Sequence, residues 1–209
     1  MKKNKGKLFS LLIVLLLVID QVIKIYIKTH MYLHESIHVT DWCYIFFTEN
    51  NGMAFGMQIF GKLFLTLFRI IAVAILIWCL YKFVKANLKM GFLLCVSLIL
   101  TGAVGNIIDS VLYGVIFSES TFSQIATFMP EGGGYAPLLF GKVVDMFYFP
   151  LIETEWPAWM PFVGGDHFVF FSPIFNFADS CISVGIVALL ICYSKYVNHA
   201  FDVLKTKKS

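Results

Sequence analysis

Four aspartates stand in surroundings that should exclude them. Asp20 lies in "LLVIDQVIK", Asp109 in "GNIIDS", Asp145 in "GKVVDMFYFP" and Asp179 in "FNFADS", each among apolar residues. An unpaired carboxylate inside a membrane-grade segment costs at least a few kcal/mol. Two carboxylates brought together in a low-dielectric site cannot both ionise at neutral pH, so one binds a proton tightly. One member of such a pair activates water as a base, and the other, as acid, polarises the carbonyl under attack. That is aspartic-protease chemistry, and it needs neither metal nor cofactor. The neighbours fit it. Asp20 has Lys24 one helical turn on, where the two can partly neutralise each other. Asn106 and Asp109, and Asn176 and Asp179, are three apart, which sets an amide beside a carboxylate on one helix face. The competing structural reading is that these acids bind helices to one another through hydrogen bonds.

The elements that must carry these groups follow from hydropathy. The chain has 209 residues, of which 59% are hydrophobic and only 14% charged, well below the quarter usual in soluble domains. Four apolar runs, about 8–28, 63–84, 91–113 and 173–197, are long enough to cross a hydrocarbon core of about 30 Å. We therefore expect an all-α membrane protein, a single domain over 1–209 with four transmembrane helices. The first run is too long for a cleaved signal peptide, contains Asp20 and lacks a small-residue cleavage site. Lysines cluster before run one, between runs two and three, and after run four, which puts both termini on the cytoplasmic side. The external segments are then about 29–62 and 114–172. In the first, "HVTDWCYIFFTENNGMAFG" has the aromatic clusters and turn residues of a small β-rich element. In the second, Trp156 and Trp159 suit the headgroup layer.

With that orientation Asp20, Asp109 and Asp179 all fall within about two turns of the outer ends of their spans, and Asp145 lies in the external segment between runs three and four. All four acids thus converge at one depth, near the outer leaflet. Asn50, in "TENNGMAFG", adds an amide at the same surface. The five cysteines show no paired spacing, and the three that fall well inside apolar runs read as small buried hydrophobes. His30, His34 and His38 recur every four residues, but the stretch leaves the membrane, so no metal site is expected. The basic residues are explained by topology, so no nucleic acid is expected as a partner, and a monomer is.

These motifs resemble, in order along almost the whole chain, those of the lipoprotein signal peptidase family, the bacterial type II signal peptidases. "DQVIK" (20–24) is similar to the family's D-Q-x-x-K, "NNGMAF" (50–55) to N-x-G-x-A-F, and "GAVGNIID" (102–109) to G-x-x-G-N-x-x-D. "VVD" (143–145) is similar to V-V-D and "FNFAD" (175–179) to F-N-x-A-D. The resemblance implies an intramembrane aspartic endopeptidase of the bacterial cytoplasmic membrane. It would remove signal peptides from prolipoproteins by cutting before a diacylglyceryl-modified cysteine. It also implies that Asp145 and Asp179 are catalytic, that Asp20, Lys24, Asn50, Gly52, Asn106, Asp109 and Asn176 line or brace the site, and that globomycin-type cyclic peptides inhibit it.

Two features depart from the family. Ser110 stands where an arginine usually follows the aspartate, and Arg69, in the outer third of the second span, is the candidate to supply that charge. The stretch around 117–140 has no counterpart among the motifs and is expected to form an external lid. A proton-coupled transporter or a non-catalytic scaffold are the rival readings; the former asks for acids spread through the membrane depth.

Overall fold

A computed structural model describes residues 2–50 and 61–205. Its elements are α1 (Lys2–His30), β1 (Ser36–Thr40), β2 (Cys43–Asn50), α2 (Lys62–Lys85) and α3 (Met90–Ile108). The last of these continues through a π-helical turn (Asp109–Tyr113) into a short α4 (Gly114–Ile116). Then come β3 (Val143–Tyr148), β4 (Ile152–Glu155), β5 (His167–Phe170) and α5 (Phe177–Lys205). Among the described residues, four helices are long and apolar enough to cross a membrane: Asn4–His30, Lys62–Lys85, Met90–Ile116 and Phe177–Lys205. On α1, α2 and α5 large apolar side chains such as Leu11, Phe68 and Ile191 face outward, a surface suited to hydrocarbon, where backbone polar groups are satisfied within the helix.

α3 is the central helix, and its contact with α5 is close because both carry small residues. A Cβ on Gly102 would collide with the Ala178 carbonyl oxygen, and one on Gly185 would come within 2.8 Å of the Cys95 carbonyl oxygen. Small residues of this kind let membrane helices approach backbone to backbone. At one end of the bundle Phe9, Leu80, Phe83, Phe92, Leu93 and Leu100 form an apolar core. At the other, Ile27, Met31, Phe47, Tyr113, Phe117, Val144 and Met146 form a second core, where the helices meet the sheet.

That sheet is antiparallel, in the order β1-β2-β3. Its first hairpin turns at Asp41–Trp42, and its second ladder pairs Thr48 with Asp145, Glu49 with Val144 and Asn50 with Val143. β4 and β5 make a separate two-stranded hairpin. The strands expected within 38–56 are present over 38–50, and 51–56 lies outside the described residues.

Several bounds differ from the expected spans for identifiable reasons. α5 begins at Phe177 rather than 173, because Phe175 is taken into a backbone bridge with β3: Phe147 N–H donates to Phe175 O at 2.7 Å and Phe175 N–H to Phe147 O at 3.0 Å. Asp179 consequently lies in the first turn of its helix, not two turns inside it. α1 runs on past Lys28 to His30, and the third span reaches Ile116 rather than 113. The segment 117–141 folds back along α4. The N–H groups of Met129, Tyr135, Ala136, Leu139 and Gly141 donate to the carbonyls of Ile116, Phe117, Gly114, Val111 and Ser110, which a helix end leaves unpaired. His30 ends α1, His34 sits in the following turn, and His38 is in β1, where it faces Asp41 at 3.4 Å.

Candidate active site

The site is built outward from the first turn of α5. Asn176 is its N-cap: its Oδ1 accepts the Asp179 N–H at 2.9 Å, while the Asp179 carboxylate accepts the Asn176 N–H at 3.3 Å. This is a capping box, with asparagine and aspartate in the roles more often filled by serine and glutamate. The positive end of the helix dipole thus faces the Asp179 carboxylate. The next free N–H, that of Ala178, donates to Asp20 Oδ1 of α1 at 3.0 Å. Gly105 makes room for this, since a Cβ there would lie 2.6 Å from Asp20 Oδ2.

Two asparagine amides join the carboxylates. Asn176 Nδ2 donates to Asp145 Oδ1 at 2.6 Å and to Asn106 Oδ1 at 3.0 Å. Asn106 Nδ2 donates to Asp179 Oδ1 at 2.7 Å. Each asparagine spacing therefore works differently from its expectation: Asn106 serves the carboxylate of another helix rather than Asp109, and Asn176 serves both Asp145 and Asp179. The β3–Phe175 bridge sets this meeting, because it aligns Asp145, two residues before Phe147, with Asn176, one residue after Phe175.

Behind the amides lies a charge cluster. Lys24 Nζ contacts Asp109 Oδ2 at 2.8 Å, Asn106 Oδ1 at 2.9 Å and Asp20 Oδ2 at 3.2 Å, with all three charged side chains fully buried. Lys24 is therefore shared by two acids, not spent on Asp20 alone, and Asp109 takes its counter-charge from it. The Gln21 amide donates to Asp109 Oδ1 at 3.1 Å and Asp20 Oδ2 at 3.0 Å, and its carbonyl accepts from the Tyr113 hydroxyl at 3.1 Å. The Val144 N–H donates to Asp109 Oδ2 at 3.3 Å, which ties β3 to α3 next to Asp145. Gln21 is a site residue missed from sequence; its place between Asp20 and Lys24 in one motif is the signal that marks it.

Arg69 reaches the same region from α2. Its Nη1 is 3.5 Å from Ser110 Oγ, and the charges it feels most are Asp179, then Asp145, then Asp109. Asn50 hydrogen-bonds Asp145 from β2. Gly52 lies outside the described residues. Burial first, and the Asp179 carboxylate second, push the Asp145 carboxyl up to about 7; the Asn176 amide pulls the other way. Asp145 is buried and Asp179 half-buried, so solvent can approach the pair from the Asp179 side.

A second polar cluster, missed from sequence, occupies the opposite face of the β2–β3 ladder. Glu49 pairs with Lys28, and Ser120 Oγ bonds Glu49 Oε1 and accepts from Lys28 Nζ, both at 2.9 Å. Lys142 lies 3.4 Å from Glu49 Oε2. Lys28 follows Lys24 by four residues and so shares its face of α1, a signal that could have found it.

The geometry is matched by kinship. Residues 12–195 match the family described as signal peptidase (SPase) II. A lipoprotein signal peptidase of Porphyromonas gingivalis is 56% identical over 97% of this chain and 89% of its own length. One from Amoebophilus asiaticus is 33% identical over 91% of this chain and 79% of its own. Among solved structures, a bacterial membrane enzyme determined by the in meso method superposes with a TM-score of 0.59 at 28% identity, covering 97% of this chain and 94% of that one. These matches do not support the transporter or scaffold readings. With a family match running from α1 into α5, the chain belongs to the signal peptidase II family.

Proposed function

We propose that Asp145 and Asp179 form the catalytic dyad of an aspartic endopeptidase that removes signal peptides from prolipoproteins, cutting just before the diacylglyceryl-modified cysteine. The observation that carries this reading is that both carboxylates accept hydrogen bonds from Asn176, Asp145 from its side-chain amide and Asp179 from its backbone N–H, while burial and the Asp179 carboxylate push the Asp145 carboxyl up to about 7. Asp145, protonated at rest, donates a hydrogen bond to the scissile carbonyl oxygen. Asp179 takes a proton from a water whose oxygen bonds to the carbonyl carbon. When the tetrahedral intermediate collapses, the C–N bond breaks and the departing cysteine nitrogen receives a proton from the dyad. The products are a signal-peptide carboxylic acid, which gives its proton to solvent, and a free cysteine amine, and the dyad returns with one proton.

The remaining residues serve this pair. Asn106, Asn176 and Asn50 orient the two carboxylates, Lys24 neutralises Asp20 and Asp109 behind them, and Arg69 lends a positive charge to the dyad from α2. Gly52 belongs with them in the motif of the first external segment. The chain acts as one membrane domain over residues 1–209 in the bacterial cytoplasmic membrane, both termini inside, surrounded by lipid, as a monomer. The segment 117–140 covers the site from outside, and globomycin-type peptides occupy it. The expected test result is that Asp145→Asn and Asp179→Asn, each folded as shown by unchanged thermal unfolding at low pH, lose prolipoprotein cleavage by about 10²–10⁴-fold or more. Cleavage that survives in either folded variant would overturn the assignment.

A further inference from the structure

Between β3 and α5 the chain makes a detour that the site does not use. Residues 149–172 form the β4–β5 hairpin, which pairs Ile152 with Phe170 and Thr154 with Phe168 on one face, and Glu153 with Val169 and Glu155 with His167 on the other. Alternation along the strands thus gives one apolar face and one mostly polar one. The connecting tip is a built loop. Trp156 N–H donates to Asp166 O, Gly165 N–H to Trp156 O, Gly164 N–H to Met160 O and Met160 N–H to Pro157 O, all between 2.9 and 3.1 Å. On this ordered tip Trp159 is 80% exposed and the Phe162 ring is bare, at 103%.

Phe162 is unfavourable twice over. Its φ of 71° lies in the left-handed region, where a bulky side chain is an outlier. The same loop supplies glycine at 165, where φ is 83°, so a residue better suited to that backbone is within its repertoire. A strained phenylalanine with no neighbour over its ring points to a surface that covers it.

The base of the hairpin says which surface. The Phe171 and Phe149 rings lie 5.9 and 5.6 Å from that of Phe175, and Trp42 stacks on Phe149 at 6.0 Å. Phe175 is two residues before α5, so this chain of rings sits at the end of a helix long enough to cross a bilayer. Aromatic side chains concentrate at that level, between headgroups and hydrocarbon. Four-residue strands extend only about 13 Å, which keeps a hairpin lying along the surface within reach of that layer.

We propose that the β4–β5 hairpin is a membrane-interface anchor whose tip carries Trp159 and Phe162 into the headgroup and upper acyl layer of the leaflet beside the N-terminus of α5. This rests on the membrane-spanning reading of the four helices, but not on the assignment of the dyad. Anchoring both ends of the 149–172 segment would steady the two arms, β3 and α5, that bring Asp145 and Asp179 together.

The test compares tryptophan emission of the full chain and of Trp159→Phe in nanodiscs of phosphatidylcholine, either ordinary or brominated near the headgroup; the difference between the two proteins is the share of Trp159. That share should be blue-shifted in ordinary discs and mostly lost in brominated ones. Equal emission in both discs overturns the anchor. So does shielding that appears only on adding prolipoprotein, which would make the hairpin a substrate grip, or only on raising protein concentration, which would make it a contact between copies. Prolipoprotein cleavage by the unsubstituted protein in the same discs tests the enzyme reading separately.

Discussion

On one face of the β2–β3 ladder Asp145 is held by the Asn176 amide; on the other, Glu49, opposite the residue next to it, is held by the Lys28 ammonium. Both acids are buried, and the difference lies in what neutralises them. Glu49 has a cation beside each oxygen, Lys28 and Lys142. Asp145 has an amide and a neighbouring carboxylate, so burial raises its proton affinity to about neutral pH. Asp20 and Asp109 resemble Glu49, since Lys24 closes both. Five acids thus gather near one end of the bundle, four with buried side chains and Asp179 half-buried, and lysines serve three. The two served by amides are Asp145 and Asp179, the pair proposed above as the dyad.

Substitutions that exchange these modes of neutralisation should separate the two regions. The largest stability effect is expected at Lys24→Met, which strands two fully buried carboxylates and should cost at least about 3–5 kcal/mol in thermal or denaturant unfolding. A loss of less than about 1 kcal/mol would mean that Asp20 and Asp109 are not charged partners of Lys24. Glu49→Gln keeps an acceptor for Ser120 but leaves Lys28 unpaired, and should cost about 1–3 kcal/mol, with cleavage by the folded fraction nearly unchanged. The double variant Lys28→Met with Glu49→Leu removes both charges and should recover most of that loss, because apolar replacement of a whole buried pair is often neutral. If instead it abolished cleavage while folding normally, the far face would belong to the active machinery and the contrast between the faces would fail.

The features legible in the sequence were those written along a single element. Four spans, strands near residues 38–50, and four acids near one end all follow from periodicity and depth. What stayed hidden was rotation and partnership between elements. Spacing placed Asn106 beside Asp109, but the rotation of α3 against α5, set by Gly102 and Gly105, turns its amide to Asp179. Lys28 looked like the polar end of a span because its partner, Glu49, comes from a strand 21 residues later. The start of α5 was placed too early because a β-bridge to Phe147 competes with helix at Phe175, and a bridge across 28 residues leaves no local pattern. The role of Asn176 as a cap was in reach, since Asn-x-x-Asp before an apolar run has the form of a capping box.

The proton on Asp145 also sets a pH dependence. Its folded-state pKa is raised from 3.8 to about 7, so the folded chain binds this proton more tightly than the unfolded one. The resulting contribution to stability is fully present below pH 3.8 and is lost as pH rises through about 7. Cleavage that needs Asp145 as acid should decline over the same upper limb. The most direct test is infrared titration of the Asp145 carboxyl band, assigned by its absence in Asp145→Asn. The account predicts that the protonated band persists to about pH 7 and moves to lower pH in Asp179→Asn, where the carboxylate beside it is gone. A band that titrates near the ordinary value of 3.8, or one indifferent to Asp179, would contradict a proton shared by these two residues.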